Sequence, residues 1–474
     1  MLLKGDIPTQ EPIVSIGLVL PIDKQHSVMI KCSDKNEKYD IKTIEDHLSV
    51  NGKETKSFSL NKISNESSYQ LDPISAGRGF HWQKKIKISI QGSIRITNID
   101  DCLFVVNDIG LESYLMSVAT SEMSGECPIA LLEAQTIAAR SWLIASEEQK
   151  HAELGLDACN DDCCQRYQGI GNISKEAELA AIQTSGKFIT YENEICDARY
   201  SKSCGGMTEN NENVWNNEPK PYLRGIYDGK NGHGTDLSNA SNINNWLSGV
   251  YDCYCGNDHI DQNELKKYLG SVDKSGNYFR WEFTYSKDQL RDIINEKTNE
   301  SFDSINSLTP QKRGVSGRII ELVISGKKNG HPYDLVIGNE YEIRDALHPE
   351  FLYSSAFTIN ANSNIQSDED KITLAGAGWG HGVGLCQIGA LGMALSGRSS
   401  EEILKHYFSS ITITNLNLLF EKLSSIFSFR SSNLSSPNCS SSSFNDVLRS
   451  FLSQAFTFLS KSSKSLRLDQ NVAP

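Results

Sequence analysis

A single glutamate, Glu122, is the first residue of this chain whose type and setting suit acid–base chemistry. It lies in the stretch SVATSEMSGECPIALLEAQ, between Ser121 and Met123 and shortly before Pro128. A glutamate at such a junction commonly caps a helix or carries a solvated charge. Beside apolar residues, however, its pKa can rise enough to make it a general acid near neutral pH. No second acid stands at a clear partner spacing, which argues against a glycosidase with two carboxylates.

A glycine-rich stretch, GAGWGHGVGLCQIGALGMALSG, is the second candidate for a site and spans residues 376–397. It has too many glycines for the core of a helix, and the segment behind it has a helical pattern. The glycines predict a tight loop whose backbone adopts conformations closed to other residues. A nucleotide-binding loop is disfavoured, because the spacing is not that of a phosphate loop and no Lys-Ser or Lys-Thr pair follows.

Local clusters of cysteine form the third feature. The chain has 12 cysteines, and CNDDCC (159–164) and CYC (253–255) group several of them. Clusters of this kind in a large chain suggest a metal site or a few disulfides rather than a disulfide framework.

Hydrophobic periodicity predicts the elements that hold these residues. Residues 13–106 alternate in short apolar runs and predict a β-rich module. A helix is expected to begin at Pro128. The segment over 176–190 predicts a second helix, which ends near Gly186 and leads into a strand. Ser286 with Gln289 reads as a capping box. SGRIIELVIS and HPYDLVIG predict paired strands, and residues 399–408 predict a further helix. The interspersed order favours an α+β fold.

Three regions are expected: a β-rich module over 1–106, a mixed α/β core over 107–415 and a Ser-rich tail over 416–474. Within the tail, apolar residues at helical spacing predict a helix capped at Ser443, which either docks on its own domain or anchors a membrane or partner.

Composition excludes some partners. The net charge is -13, whereas a nucleic-acid surface normally belongs to a basic domain.

No segment approaches the roughly 18 apolar residues of a membrane span. The N-terminal residues show no secretory signal, so the protein is expected to be cytosolic or to have an export signal outside this sequence.

Several ordered blocks resemble the SpoIID/LytB family. They are YLMSVATSEMSGECPIALLEAQTIAARSW, ARYSKSCGGMTENNENVW, PYLRG, SGRIIELVISG and GWGHGVGLCQIGALGMALSG followed by EEILKHYF. A chance match to one short motif is plausible, but an ordered set across residues 13–415 is not.

The resemblance implies a peptidoglycan lytic transglycosylase in the cell envelope, with a core that forms a glycan-binding cleft. Such an enzyme cleaves between N-acetylmuramic acid and N-acetylglucosamine in strands without stem peptides and leaves 1,6-anhydro ends. Glu122 occupies the place of the family's catalytic glutamate. One glutamate suffices because the C6 hydroxyl of the sugar is the nucleophile, so no cofactor is required. The alternative is a non-catalytic amidase enhancer, and in either case an N-acetylmuramoyl-L-alanine amidase is the expected protein partner.

The resemblance also implies the glycan-binding residues. They are Arg140, Ser201, Ser203, Gly205, Gly206, Trp379, His381 and Gln387. Arg140 is expected to orient Glu122 or bind a sugar substituent, unless it is a surface arginine near a helix end. Trp379 offers a flat face to a pyranose, and His381 and Gln387 offer hydrogen bonds to hydroxyl or acetamido groups. The alternative is a purely structural loop with Trp379 in the core.

Some relatives resembling this chain bind zinc in the block that corresponds to HAELGLDACNDDCCQRYQG. Here the ligands would be His151, Cys159, Cys163 and Cys164, with Cys163 in the place of a family histidine. Three sulfurs and one nitrogen make a closed tetrahedral site, so the expected zinc is structural. A disulfide or free thiols are the alternatives.

Overall fold

A computed structural model describes residues 11–35, 37–61, 67–80, 83–215, 217–230, 235–270, 277–361 and 371–415. Helices and strands are interspersed over six sheets, which confirms the α+β class. The predicted helix at Ser443 and the rest of the tail lie outside the described residues.

The β-rich module begins with ten strands. Their bounds are β1 (Ile13–Val19), β2 (Ser27–Cys32), β3 (Lys38–Ile44), β4 (His47–Val50), β5 (Lys53–Thr55), β6 (Ser57–Leu60), β7 (Tyr69–Ala76), β8 (Lys84–Ile90), β9 (Ser93–Ile99) and β10 (Cys102–Gly110). Alternate residues are buried, as in β2, where Val28, Ile30 and Cys32 face the core. One sheet has the order β5-β4-β3-β2-β7-β8, and a second contains β1-β10-β9-β6.

The next segment carries the first candidate residues. Its elements are α1 (Leu111–Glu122), α2 (Ile129–Ala145), β11 (Ala158–Cys159), α3 (Lys175–Thr184), β12 (Lys187–Tyr191), β13 (Glu194–Ile195) and β14 (Tyr200–Ser201). Glu122 is the last residue of α1. Pro128 precedes α2 as its N-cap, and α2 continues past Arg140 to Ala145.

Residues 212–377 form a further set of elements. They are α4 (Glu212–Trp215), α5 (Ala240–Ser248), α6 (Gln262–Tyr268), β15 (Arg280–Ser286), α7 (Lys287–Thr298), β16 (Ser304–Arg313), β17 (Ile319–Lys328), β18 (His331–Ile337), α8 (Glu340–Ala346), β19 (Phe357–Ala361) and β20 (Lys371–Ala377). The Ser286–Gln289 capping box and the antiparallel β17–β18 pair are confirmed. Strands β16 and β20 and helix α8 were not predicted. A separate apolar core unites much of this region, from Trp281 to Leu374.

The C-terminal elements return to the centre of the molecule. They are β21 (Leu385–Cys386), α9 (Gln387–Leu395), α10 (Ser400–Tyr407) and β22 (Thr412–Asn415). Strand β21 pairs in parallel with β14, and β22 pairs with β12. The glycine-rich stretch is therefore joined to the segment that begins at Tyr200.

The first sheets pack directly against the next segment of the chain. Strand β10 spans residue 106, β11 pairs with β1, and one apolar cluster joins the first sheets to α1 and α2. Among the described residues, the helices are all too short or too polar to cross a membrane.

Candidate active site

Glu122 lies in the wall of a cavity of about 490 Å³. Several distant segments of the described chain contribute to this wall, from the β-rich module to the start of α9. The lining side chains include Arg78, Phe80, Glu122, Trp142, Glu148, Lys150, Asp162, Arg166, Arg199, Tyr200, Ser201, Lys202, Trp215, Glu340, Arg344, Trp379, His381 and Gln387. A separate cavity of about 560 Å³ is lined near Asn306 and Lys371, and its described lining has no acid, histidine or cysteine that could do acid–base chemistry.

Three neutral donors hold the Glu122 carboxylate. The backbone N–H of Arg166 donates to Oε1 at 3.0 Å, and the Tyr200 hydroxyl donates to the same oxygen at 3.2 Å. The side-chain amide of Gln387 donates to Oε2 at 3.3 Å. Lys202 Nζ donates to the main-chain oxygen of Glu122 at 2.6 Å. The glutamate is thus fixed by groups from three distant segments.

The pKa of Glu122 is raised above the ordinary glutamate value of 4.5. Burial is the main cause, since only 7% of the residue is exposed and the charged form loses its hydration. Arg166 and Lys202 oppose the shift by favouring the carboxylate. Its place at the C-terminal end of α1 acts with burial, because the negative end of the helix dipole disfavours an anion. Glu122 therefore keeps its proton at a higher pH than an exposed glutamate, as a general acid requires.

This shift predicts a pH-dependent effect of Glu122→Gln on stability. Below pH 4.5 the glutamate is protonated in both states, and the two proteins should unfold alike. As pH rises, the unfolded state loses its proton first, so wild-type stability falls until the folded pKa is passed. The variant cannot ionise and escapes this loss. Melting temperatures from acid to pH 8 should show the variant gaining on the wild type, and a constant difference would contradict the raised pKa.

The glycine-rich stretch forms the loop that the sequence predicted. Four alternate glycines have a positive φ: Gly378 (79°), Gly380 (99°), Gly382 (77°) and Gly384 (72°). Between them, Trp379 exchanges two backbone hydrogen bonds with Ser203, at 2.8 and 3.0 Å. Arg318, from the SGR block, is buried and donates to the Gly380 carbonyl at 3.1 and 3.2 Å. The loop is therefore tied to two other motifs of the resemblance.

Gly382→Ala is expected to destabilise the protein by about 2 kcal/mol or more. Its φ is in the left-handed region, and a Cβ atom would clash with the buried Arg318 guanidinium. Gly338→Ala is the matched control, because no neighbour lies within 4 Å of its added Cβ atom. Urea unfolding of both variants would measure the difference. Equal midpoints would mean that the loop yields without cost.

The loop places Trp379 and His381 at the cavity. One face of Trp379 stacks on Tyr278, with ring centroids 4.6 Å apart, and the half-buried ring also lines the cavity. His381 packs edge-on against Trp215, and its Nδ1 accepts the Val383 N–H at 3.0 Å. Burial, together with nearby arginines, lowers the pKa of His381 well below 6.5, so the ring is neutral. Trp379 is thus both a packed residue and part of the cavity wall.

The Ser/Gly turn is only partly in the wall. Ser201 lines the cavity, and its buried Oγ has no hydrogen-bond partner within the described chain. Ser203 instead pairs with the Trp379 backbone. Gly205 packs against Gly378, and a Cβ atom on Gly206 would meet Trp246 at 2.6 Å. The protein's own backbone and Trp246 therefore lie directly against these two glycines.

Arg140 does not line the cavity. Its side chain is fully buried, so it is neither a surface arginine nor open to a sugar. It donates to both carboxylate oxygens of Glu112, at 3.0 and 2.5 Å, and to the Lys187 carbonyl at 3.1 Å. These hydrogen bonds link α1, α2 and β12 through Arg140.

The side-chain amide of Gln387 is committed to Glu122 and to Gln135 Oε1, the latter at 3.2 Å. It supports the acid rather than reaching for a sugar.

The four predicted zinc ligands do come together. The side-chain ligand atoms of His151, Cys159, Cys163 and Cys164 all lie within 4.8 Å of one another. Cys159 Sγ is 3.1 Å from Cys163 Sγ, which in turn is 3.6 Å from His151 Nε2. Three sulfurs and one imidazole nitrogen suit a closed tetrahedral zinc site. Cys163 and Cys164 also line the cavity, directly before the Arg166 N–H that binds Glu122.

Sequence reasoning missed several residues of the wall. Arg166, Lys202 and Tyr200 surround Glu122, and the Arg199 guanidinium lies 4.3 Å from the Trp215 ring centroid. Lys202 and Trp215 are within the blocks that carried the resemblance, so those blocks were the available signal. Arg166 lies within the block that was quoted for zinc, but nothing in the sequence indicated that its backbone N–H would contact Glu122.

A family model described as Stage II sporulation protein (SpoIID) matches residues 100–191, which include Glu122. A second model, described as a domain of unknown function (DUF8618), matches residues 209–384. The chain is 24% identical to a Stage II sporulation protein D of Bacillus amyloliquefaciens, over 67% of this chain and 78% of the relative.

Two further relatives extend the likeness. An uncharacterized protein of Brachyspira hyodysenteriae is 27% identical over 70% of this chain and 73% of its own length. An amidase enhancer of Bacillus subtilis is 23% identical over 64% of this chain, but the match covers only 40% of that relative. These matches confirm the resemblance drawn from the sequence blocks.

Proposed function

For a chain of the SpoIID family, we propose a lytic transglycosylase that cleaves MurNAc–GlcNAc bonds of glycan strands without stem peptides. The products would carry 1,6-anhydro-MurNAc ends, and the process would be cell-wall remodelling in division or sporulation. The observation that carries the proposal is Glu122, a buried acid of raised pKa at the wall of a large cavity. The relatives' names support a cell-wall-related role.

Glu122 performs both proton transfers in the proposed reaction. Protonated Glu122 gives its proton to the glycosidic oxygen as the bond to C1 of MurNAc breaks. The resulting carboxylate takes the proton of the C6 hydroxyl, whose oxygen attacks C1 and closes the anhydro ring. The nucleophile belongs to the substrate, so its effective concentration is high and no water is activated. The Arg166 N–H, the Tyr200 hydroxyl and the Gln387 amide stabilise the intervening carboxylate.

Other acids of the wall are engaged with arginines. Asp162 pairs with Arg166, Glu340 Oε1 lies 3.4 Å from Arg344 Nη1, and Glu148 lies 3.5 Å from Arg199 Nη1. Their carboxylates are therefore committed to contacts within the wall. A single-glutamate mechanism fits this arrangement better than an inverting hydrolase does.

The charge of the wall supports a denuded glycan as substrate. An amidase that removes the stem peptide leaves a free lactyl carboxylate on each MurNAc. Six cationic side chains and four acids line the described cavity, in a chain whose net charge is -13. The cations are Arg78, Lys150, Arg166, Arg199, Lys202 and Arg344. Arg78 is paired with Asp23 and Asp161, which do not line the cavity, so five cations face four acids. Because one of these acids is Glu122, whose pKa is raised, the wall keeps a small cationic excess that favours an anionic ligand. The proposal therefore links the protein to an amidase as the source of its substrate.

We also assign a structural zinc ion to His151, Cys159, Cys163 and Cys164. When bound, the ion would supply a cross-link and no catalytic step, because four protein ligands close its coordination sphere. The loop that it fixes carries the Arg166 N–H to Glu122. The cell envelope is the expected location, where peptidoglycan is found.

An amidase enhancer without lytic activity is the second candidate, favoured by the relative of that name in Bacillus subtilis. Purified protein incubated with amidase-stripped glycan strands would separate the two, with products read by mass spectrometry. Anhydro-muramic ends are expected. Reducing ends would indicate a hydrolase that uses a second carboxylate. Retention of strands without cleavage would favour the enhancer.

A further inference from the structure

A second set of metal-ligand atoms lies behind the cavity wall. Cys204, Asp228, Cys255 and Cys386 are all buried, and their ligand atoms lie within 4.8 Å of one another. Cys204 Sγ is 3.7 Å from Cys255 Sγ and 3.4 Å from Asp228 Oδ2. We call this set the buried cluster.

We propose that the buried cluster binds a second structural Zn²⁺ ion through three thiolates and one carboxylate. In a tetrahedral site with Zn–S bonds of about 2.3 Å, two sulfurs stand about 3.8 Å apart. The two measured separations are close to the edges of such a tetrahedron. A disulfide would bring two sulfurs to about 2.05 Å. A sulfur-rich set with one carboxylate suits zinc better than calcium or magnesium, which prefer oxygen.

The charge of Asp228 strengthens the assignment. Its side chain is fully buried, and an isolated carboxylate in that position is costly. Tyr407 donates to Oδ1 at 2.6 Å, and the Cys255 N–H donates to Oδ2 at 3.1 Å. His406 Nε2 stands 3.8 Å from Oδ1. These two hydrogen bonds come from neutral donors, so a bound dication would supply most of the compensating charge.

Backbone donors aimed at sulfur point the same way. The N–H groups of Cys204 and Gly389 approach Cys386 Sγ at 3.2 and 3.3 Å. The Gly206 N–H approaches Cys204 Sγ at 3.4 Å. Cys386 is also the N-cap of α9, a nine-residue helix whose dipole favours an anion there. These contacts stabilise thiolates, the form in which cysteine binds metal.

The location gives the ion a role. Ser201 and Cys386 pair directly between the parallel strands β14 and β21, and Cys204 follows shortly after Ser201. Gln387, the next residue after Cys386, contacts Glu122. A bound ion would link the segments that contain Asp228 and Cys255 to this strand pair. It would thereby stabilise the cavity wall that holds Glu122. Cys253 is buried nearby but is not one of the four ligands, so it offers a matched control.

The test counts metal ions and needs no activity, so its failure is distinct from failure of the proposed function. Full-length protein is analysed by native and elemental mass spectrometry, with two zinc ions per chain expected. Cys255→Ser and Asp228→Asn should each lose one ion. Cys253→Ser should keep both. Cys163→Ser should retain one ion, and its reloading with Co²⁺ should give the thiolate charge-transfer and d–d bands of a tetrahedral site.

Three results would overturn the inference. The first is a wild-type protein with one zinc ion that Cys163→Ser removes. The second is a Cys204–Cys255 disulfide, seen by mass spectrometry without reductant. The third is Co²⁺-loaded Cys163→Ser without thiolate bands. Should Cys255→Ser fail to fold, the wild-type ion count and the Co²⁺ spectrum still decide, because neither disturbs the buried cluster.

Discussion

Glu122→Gln is expected to lower the rate of strand cleavage at least ~10³-fold. A general acid or base contributes about 10²–10⁴-fold each, and Glu122 serves as both in the proposed mechanism. Glutamine keeps the size of the side chain but offers no proton of suitable acidity and cannot accept one from the C6 hydroxyl. The measurement is the rate at which anhydro-muramic ends appear from amidase-stripped strands.

Glu126→Gln is the matched control for this experiment. Glu126 is exposed and lies four residues away, so its loss removes the same charge without touching the cavity wall. It should cleave at the wild-type rate. Strand binding by Glu122→Gln should persist, since the remaining wall is unchanged. Full cleavage by Glu122→Gln would rule out Glu122 as the acid.

Cys163→Ser is expected to have the second-largest effect, with loss of one zinc ion and a melting temperature lower by roughly 5–10 °C. A structural zinc contributes several kcal/mol or more to folding, and 1 kcal/mol corresponds to a few degrees in a chain of this size. Cleavage should also fall, because Arg166 lies two residues after Cys164 and its N–H contacts Glu122. Elemental analysis, calorimetry and the cleavage assay measure these three outcomes.

Cys102→Ser provides the comparison for Cys163→Ser. Cys102 begins β10, is a free cysteine and is not part of either set of metal ligands. Its substitution should leave zinc content and cleavage unchanged. If Cys163→Ser kept all its zinc, the ligand set of the loop would be wrong. If it lost zinc but cleaved normally, the loop would not position Glu122.

The local elements were predictable because neighbouring residues specify them. The alternating strands of the β-rich module, the Ser286–Gln289 capping box and the β17–β18 pair follow from short-range patterns. Helix α8 was missed despite a local signal, since Asn339 caps it and two acids follow in its first turn. Strand β20 was missed because one of its two partners, β15, lies about 90 residues earlier. Partners so distant leave little local signal.

The sequence by itself determined the local patterns that mark candidate residues. It singled out Glu122 and the glycine-rich loop because each is a local pattern, and the resemblance implied the four candidate zinc ligands between His151 and Cys164. The ordered blocks also indicated the family.

Only the tertiary structure decided how these residues act. Burial raises the pKa of Glu122, and Gln387 reaches it from 265 residues away. The same folding turns Arg140 toward Glu112 and assembles Cys204, Asp228, Cys255 and Cys386 from four separate segments. Desolvation and long-range contacts depend on how segments pack, and that information is not present in the spacing of residues along the chain.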